Sequence, residues 1–268
     1  MSLFTATTFY NIQPPAAASA GYVVRTDAYS ASVALALPCS LFSAAPISMA
    51  QYYSDISAVV RTTGTNLVAA PTGSSTDFKS DTPNNFSSDG YNGSLFAQNA
   101  GSWAQVSATA FAVAAQQYVV EGWFYFTGGF NKPPFWNSVV RQREGVNDDW
   151  YADIGNGNSA TDVRMRTIIN GSQFFSANFT ITLNSWVHVA WVRSAAGALY
   201  GYHNGTRRSM GTSTGNITST GLVRIIGGSS STNDGEAAAH QDIRITIGTD
   251  RGYNTATITP PQSIVTNA

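Results

Sequence analysis

Short runs of β-branched and aromatic residues recur along the chain between turn-forming residues, and apolar positions almost nowhere repeat at the spacing of an amphipathic helix. The clearest runs are Tyr118–Phe126 (YVVEGWFYF), Asn137–Arg143, Val163–Ile169, Trp186–Arg193 (WVHVAWVR), Leu199–His203, Leu222–Ile226 and Asp242–Ile247. Asn170-Gly171 and Asn204-Gly205 each separate two such runs, and Asn-Gly supplies the two positive φ values of a type I′ hairpin turn. The pattern predicts an all-β chain folded as an antiparallel β-sandwich. In Trp186–Arg193 both alternating faces are mostly apolar, which places the strand mid-sandwich or against a neighbouring subunit. In Asp242–Ile247, Ile243, Ile245 and Ile247 share one face and Asp242, Arg244 and Thr246 the other, as in a half-exposed strand.

The first part of the chain has a different texture. An Ala/Pro-rich stretch, PPAAASAG from Pro14, cannot lie inside a strand. Tyr22–Arg25, Ser32–Leu37, Met49–Tyr53 and Ser57–Thr62 read as further strands, and Pro71–Asn85 reads as a linker. The expected division is 1–80, an N-terminal arm and small β region for anchoring and assembly, and 81–268, the sandwich.

Composition narrows the function. Of 268 residues only 11% are charged, against about 25% in an ordinary soluble domain. The net charge of -1 leaves no electrostatic footprint for nucleic acid or an anionic membrane. Cys39 is the single cysteine, so the chain can form no internal disulfide and no thiolate zinc site. No apolar run is long enough to span a bilayer, and the N-terminus lacks a secretory pattern, so synthesis in a host cytoplasm without a signal peptide is expected. The lysines number two, Lys79 and Lys132, against twelve arginines, a balance found in interface cores and equally produced by a genome base composition that favours arginine.

Two motifs carry a family likeness. Glu121-Gly122-Trp123 within the aromatic-ended run, and Trp186 to Arg193 followed by Leu199–His203 and Asn204-Gly205, resemble the laminin G-like, concanavalin A-like jelly-roll family over residues 86–262. The closing stretch from Gln241 to Asn254, with Pro260-Pro261, is similar to copies of that domain on tailed-bacteriophage virion proteins. The resemblance implies a jelly roll with a small N-terminal β region and extended arm, on a non-enzymatic structural protein at the surface of a phage particle. It implies a capsid decoration or cement protein that contacts the major capsid protein and forms homo-oligomers. The alternative is a tail-associated or fibre adhesin that binds a host surface glycan. Members often hold a rim calcium, for which Asp234 is the candidate ligand; no other cofactor or metal is expected.

Candidate chemistry is sparse. Glucanases on this sandwich need two carboxylates roughly 5 to 9 Å apart on one strand, and the three glutamates, Glu121, Glu144 and Glu236, have no such neighbour. Asp149 and Asp153 in DWYAD form the nearest pair, expected at a hairpin tip. Trp123, Trp186 and Trp191 read as packing residues, and His188 as a satisfied, largely buried one. Trp136, Arg141, Arg143, Trp150 and Tyr151, which combine aromatic faces with planar donors, are the candidate glycan or partner contacts.

Overall fold

The computed structural model describes residues 22–40, 70–72, 84–91, 93–97, 103–106, 113–127, 136–144, 147–155, 161–218, 223–225 and 238–267. Within them lie strands β1 (Tyr22–Val24), β2 (Val33–Leu37), β3 (Ala70–Thr72), β4 (Leu95–Ala97), β5 (Trp103–Val106), β6 (Tyr118–Phe126), β7 (Trp136–Glu144), β8 (Asn147–Gly155) and β9 (Asp162–Ile169). They continue with β10 (Ser172–Phe175), β11 (Phe179–Thr180), β12 (Trp186–Arg193), β13 (Ala198–His203), β14 (Thr206–Thr212), β15 (Val223–Ile225), β16 (Ala238–Ile247) and β17 (Val265–Asn267).

Two antiparallel sheets form a sandwich. Sheet I runs β10-β9-β8-β7-β15-β5-β3, with β11 also on β9; sheet II runs β14-β13-β12-β6-β16-β2, with β4 also on β16. The all-β sandwich expected from the alternation is therefore the fold. Asn170-Gly171 joins β9 to β10 at φ 49° and 76°, and Asn204-Gly205 joins β13 to β14 at 46° and 80°, the left-handed values a type I′ turn requires. The core between the sheets packs Val120, Phe124, Val187, Val189 and Trp191 of sheet II against Val140, Trp150, Ala152, Ile154 and Met165 of sheet I.

The N-terminal strands complete this sandwich instead of forming a separate region. Strand β2 is an edge of sheet II, hydrogen-bonded along β16, while β3 pairs with β5 in sheet I and β1 pairs with β17. The division near residue 80 does not separate them, because β2 and β3, before it, pair with β16 and β5, after it. The arm from 1 to 21 and the strands expected at 49–53 and 57–62 lie outside the described residues.

Two other expectations change on the solvent side of sheet II. The outer apolar face of β12, Ala190 and Val192, packs with Val119 and Tyr202 beneath Tyr253 and Ile258 of the C-terminal segment. The second apolar side is thus covered by the same chain. Strand β16 is buried on both faces: Asp242 and Arg244 are 6% exposed and Thr246 is fully enclosed. Its polar side is not half-exposed, since residues 25–29 and 248–264 close over it. A bulge between Gln241 and Arg244, with Asp242 at φ 50°, sets where that polar side begins.

Candidate functional site

Three segments meet over the outer face of sheet II. The first, Arg25–Tyr29, follows β1 and turns at Asp27, whose Oδ1 accepts the Tyr29 N–H at 2.9 Å while its carbonyl accepts the Ser30 N–H. The second follows β16 and turns at Asp250, which accepts the Gly252 N–H at 3.0 Å and leaves Arg251 at φ 55°. The third, Pro261–Ile264, leads into β17. Between them is a cleft of about 300 Å³ walled by Arg25–Tyr29 and Pro261–Ile264 and floored by Arg244, Arg251 and Tyr253.

Beneath the floor lies a buried ion network. Glu121, from the centre of β6, receives Arg244 Nε and Nη2 on Oε1 at 2.9 and 2.7 Å, with Arg251 Nε 3.3 Å from the same oxygen. Its Oε2 accepts the Tyr253 hydroxyl at 3.1 Å and lies 3.2 Å from His188 Nε2. Asp27 takes Arg244 Nη1 at 3.1 Å and Arg251 Nη2 at 3.0 Å on both oxygens. Two carboxylates and two guanidiniums therefore balance. Burial alone would raise the Glu121 pKa, but Arg244, His188 and Arg251 outweigh it and hold the carboxyl below the usual carboxylate range. Burial likewise opposes the charge on Arg244, and Glu121 and Asp27 reverse this, holding it more firmly protonated than a free arginine. Burial and the Glu121 charge push the Tyr253 phenol up.

The walls are tied to each other and to the sheet. Arg25 donates from Nη2 to Asp89 at 2.9 Å and from Nε to Ser263 at 3.3 Å, and its N–H donates to the Ile264 carbonyl at 2.8 Å. Asp242 accepts the Tyr91 hydroxyl and, at 2.7 Å, the Ile264 N–H. Burial nevertheless pushes the Asp242 pKa up to about 7 against those two donors. Trp123 donates to the Pro261 carbonyl at 3.2 Å. At the mouth, Tyr29 remains 37% exposed, with Arg251 5.2 Å from its ring centre, and Arg25 and Gln262 line the same cleft. An exposed aromatic ring beside planar donors suits a polar ligand with an apolar face, as a sugar has.

The residues expected to make surface contacts lie elsewhere. Trp150 is fully buried in the core, Tyr151 is 2% exposed, and Trp136 and Arg141 are 6% and 9% exposed. Strand β8 sits between β7 and β9, so DWYAD is mid-sheet and not a hairpin tip. Trp150 cannot reach a ligand, while Tyr151 and Arg141 bond to each other on the outer side of sheet I. Arg143 is placed in β7 by its backbone alone, and Asp234 lies outside the described residues. Asp153 is enclosed and paired with Arg166, which removes it from any carboxylate pair facing substrate. Among the described residues no group of three or more His, Cys, Asp or Glu could hold a metal ion. The cleft residues Tyr29, Asp27 and Arg251 were not distinguished in the sequence.

No protein-family model and no curated protein matches the chain. Solved structures similar in fold are those of the botulinum neurotoxin serotype D binding domain (14% identity, TM-score 0.56, 83% of this chain and 49% of that one) and the receptor binding domain of botulinum neurotoxin D (14%, 0.54, 83% and 50%). A third comes from work stating that cell entry of botulinum neurotoxin type C is dependent upon interaction with two ganglioside molecules (12%, 0.53, 83% and 50%). The chain spans about half the length of these structures, and the likeness is one of fold.

Proposed function

We propose that this chain is a non-enzymatic glycan-binding sandwich of the adhesin kind, carried on a tailed-phage particle, with its ligand in the cleft between Arg25–Tyr29 and Pro261–Ile264. The observation that carries the reading is Tyr29, an exposed ring at the mouth of a cleft walled by Arg25–Tyr29 and Pro261–Ile264. Similarity in fold to a domain named for receptor binding, and to a structure from work on ganglioside interaction, supports a surface-recognition role. The state of Glu121 supports a non-catalytic one. Glu121 is ionised and its oxygens are occupied by Arg244, Tyr253 and His188, so it has neither a proton to give nor a free lone pair aimed outward.

The test is a glycan array followed by titration of the bound saccharides against the full chain and its Tyr29→Ala variant. Saccharide binding that Tyr29→Ala weakens about tenfold or more, with an unchanged melting temperature, is the expected result. No binding on the array, or equal binding by the variant, overturns it.

A second reading, attachment as a capsid decoration protein, is favoured by the β1–β17 ribbon. Val23 is 52% exposed there, beside the point where residues 1–21 join. Purified virions would then carry the chain at a copy number set by the capsid lattice, whereas tail stoichiometry supports the adhesin alone.

A further inference from the structure

The solvent side of sheet I carries a second set of arginines and aromatic rings that the cleft does not use. Cross-strand register places Ser138, Asp153, Arg166 and Phe175 in one row and Trp136, Gly155 and Arg164 in the next. Arg166 lies 3.9 Å from the Trp136 ring centre and donates from Nε to Asp153 at 2.8 Å, so its charge is met. Arg164 differs. Its guanidinium stands 4.1 Å over Phe175 and 5.8 Å from Trp136, whose rings are 6.0 Å apart and tilted by 35°. Among the described residues it has no hydrogen bond and no carboxylate partner, and its Nε is shut off from solvent without an acceptor. The next acidic side chain on its strand, Asp162, accepts from Asn178 at 3.1 Å.

Arg166 is matched to Asp153, whereas Arg164 lies over an aromatic ring without a carboxylate of its own. Contact with the ring strips water from one side of the guanidinium, which lowers the ordering cost of a charge-assisted contact and strengthens it. Arg164 is half-buried, so the rest of its donor edge remains open to a planar anion. Phe175, also half-buried, supplies an apolar surface next to that edge. A ligand that satisfies both has a carboxylate on an apolar-faced ring.

We propose that Arg164, seated on Phe175 beside Trp136, is the anion-recognising residue of a second site that takes the carboxylate of an acidic sugar. The ligand class rests on the glycan-binding reading above; the site does not rest on the cleft. The uncommitted charge is the reason a neutral sugar gains nothing here, while an acidic one completes the pairing that Arg166 already has.

The experiment is titration calorimetry of the full chain with trigalacturonate, sialyllactose and lactose, repeated for Arg164→Gln, Arg164→Lys, Phe175→Leu and Tyr29→Ala. One or both acidic sugars bind, more weakly as salt is raised, and lactose does not use this site. Arg164→Gln lowers that affinity about tenfold or more without moving the melting temperature, Arg164→Lys recovers little of it, and Tyr29→Ala leaves it unchanged. Phe175→Leu, which keeps an apolar side chain but removes the ring, weakens it as well. If neither acidic sugar binds at millimolar concentration, or if Arg164→Gln binds as the parent does, the site is refuted. Acidic-sugar binding lost in Tyr29→Ala but kept in Arg164→Gln also refutes it while leaving the cleft standing; the reverse pattern is the expected one and supports this site without bearing on the cleft, which stands or falls on the array saccharides and Tyr29→Ala.

Discussion

Replacing Glu121 with glutamine tests whether the network under the cleft is an obligatory part of the fold. The side chain keeps its shape, and one oxygen still accepts from Arg244, but Arg244 and Arg251 are left with Asp27 as their one carboxylate partner in the network. All three side chains are 10% exposed or less, so water cannot compensate the surplus positive charge. Removing one member of a buried ion pair costs about 3–5 kcal/mol. With an unfolding entropy of about 2.1 cal/mol/K per residue over 268 residues, that corresponds to a melting temperature lower by roughly 5–9 °C. Differential scanning calorimetry of both proteins across acid and neutral pH gives the magnitude and its sign. Because the folded-state pKa of Glu121 lies below its ordinary 4.5, its stabilisation is present above that value and is lost as pH falls through the folded value. The gap between parent and Glu121→Gln therefore closes on acidification. A variant that melts within about 1 °C of the parent near neutral pH, or a gap that stays constant into acid, would falsify this account of the network.

Asp242 shifts the other way. Its folded-state pKa of about 7 exceeds the ordinary 3.8, so its contribution is full below that ordinary value and is lost as pH rises through about 7. Asp242→Asn, which tolerates the left-handed backbone there, is expected to flatten the decline in urea midpoint between mildly acidic and neutral pH; an unchanged slope removes Asp242 as its source. Gly205→Ala strains a residue at φ 80° and brings a Cβ 2.2 Å from the Ile258 carbonyl oxygen, so it is expected to destabilise by about 1–3 kcal/mol and to loosen residues 253–258. Hydrogen exchange that leaves the Ile258 amide, now bonded to the Gly205 carbonyl at 2.8 Å, as protected as before would contradict that.

The strands were legible where one short-range rule decides them. Tyr118–Phe126 and Trp186–Arg193 occupy the expected residues, and both Asn-Gly turns join the strands they were assigned to, because alternation and turn chemistry are local. Strand β8 was read otherwise because two adjacent aspartates and a Trp-Tyr pair look like a turn; Trp150 and Ala152 lie in the core and Tyr151 in the closed outer row only once β7 and β9 flank them. The cleft was not legible at all. Asp27, Arg244 and Arg251 are more than two hundred residues apart at the extremes, and nothing local marks Asp27 as the partner of a charge on β16. One trace was available: in a chain with so few charges, the alternating Asp242 and Arg244 on a strand needed partners, and a polar side taken as wet is instead enclosed.

The closure of the cleft by Pro261–Ile264 has a bearing on how the chain matures. One wall is made more than two hundred residues before the other, and the acid-base quartet between them comes from positions 27, 121, 244 and 251. A nascent chain can pair β7, β8, β9 and β10 of sheet I while Glu121 still sits in water without its arginines. Contacts of such long sequence separation form late. A chain truncated before Pro261 would then keep much of its β content and still present no cleft.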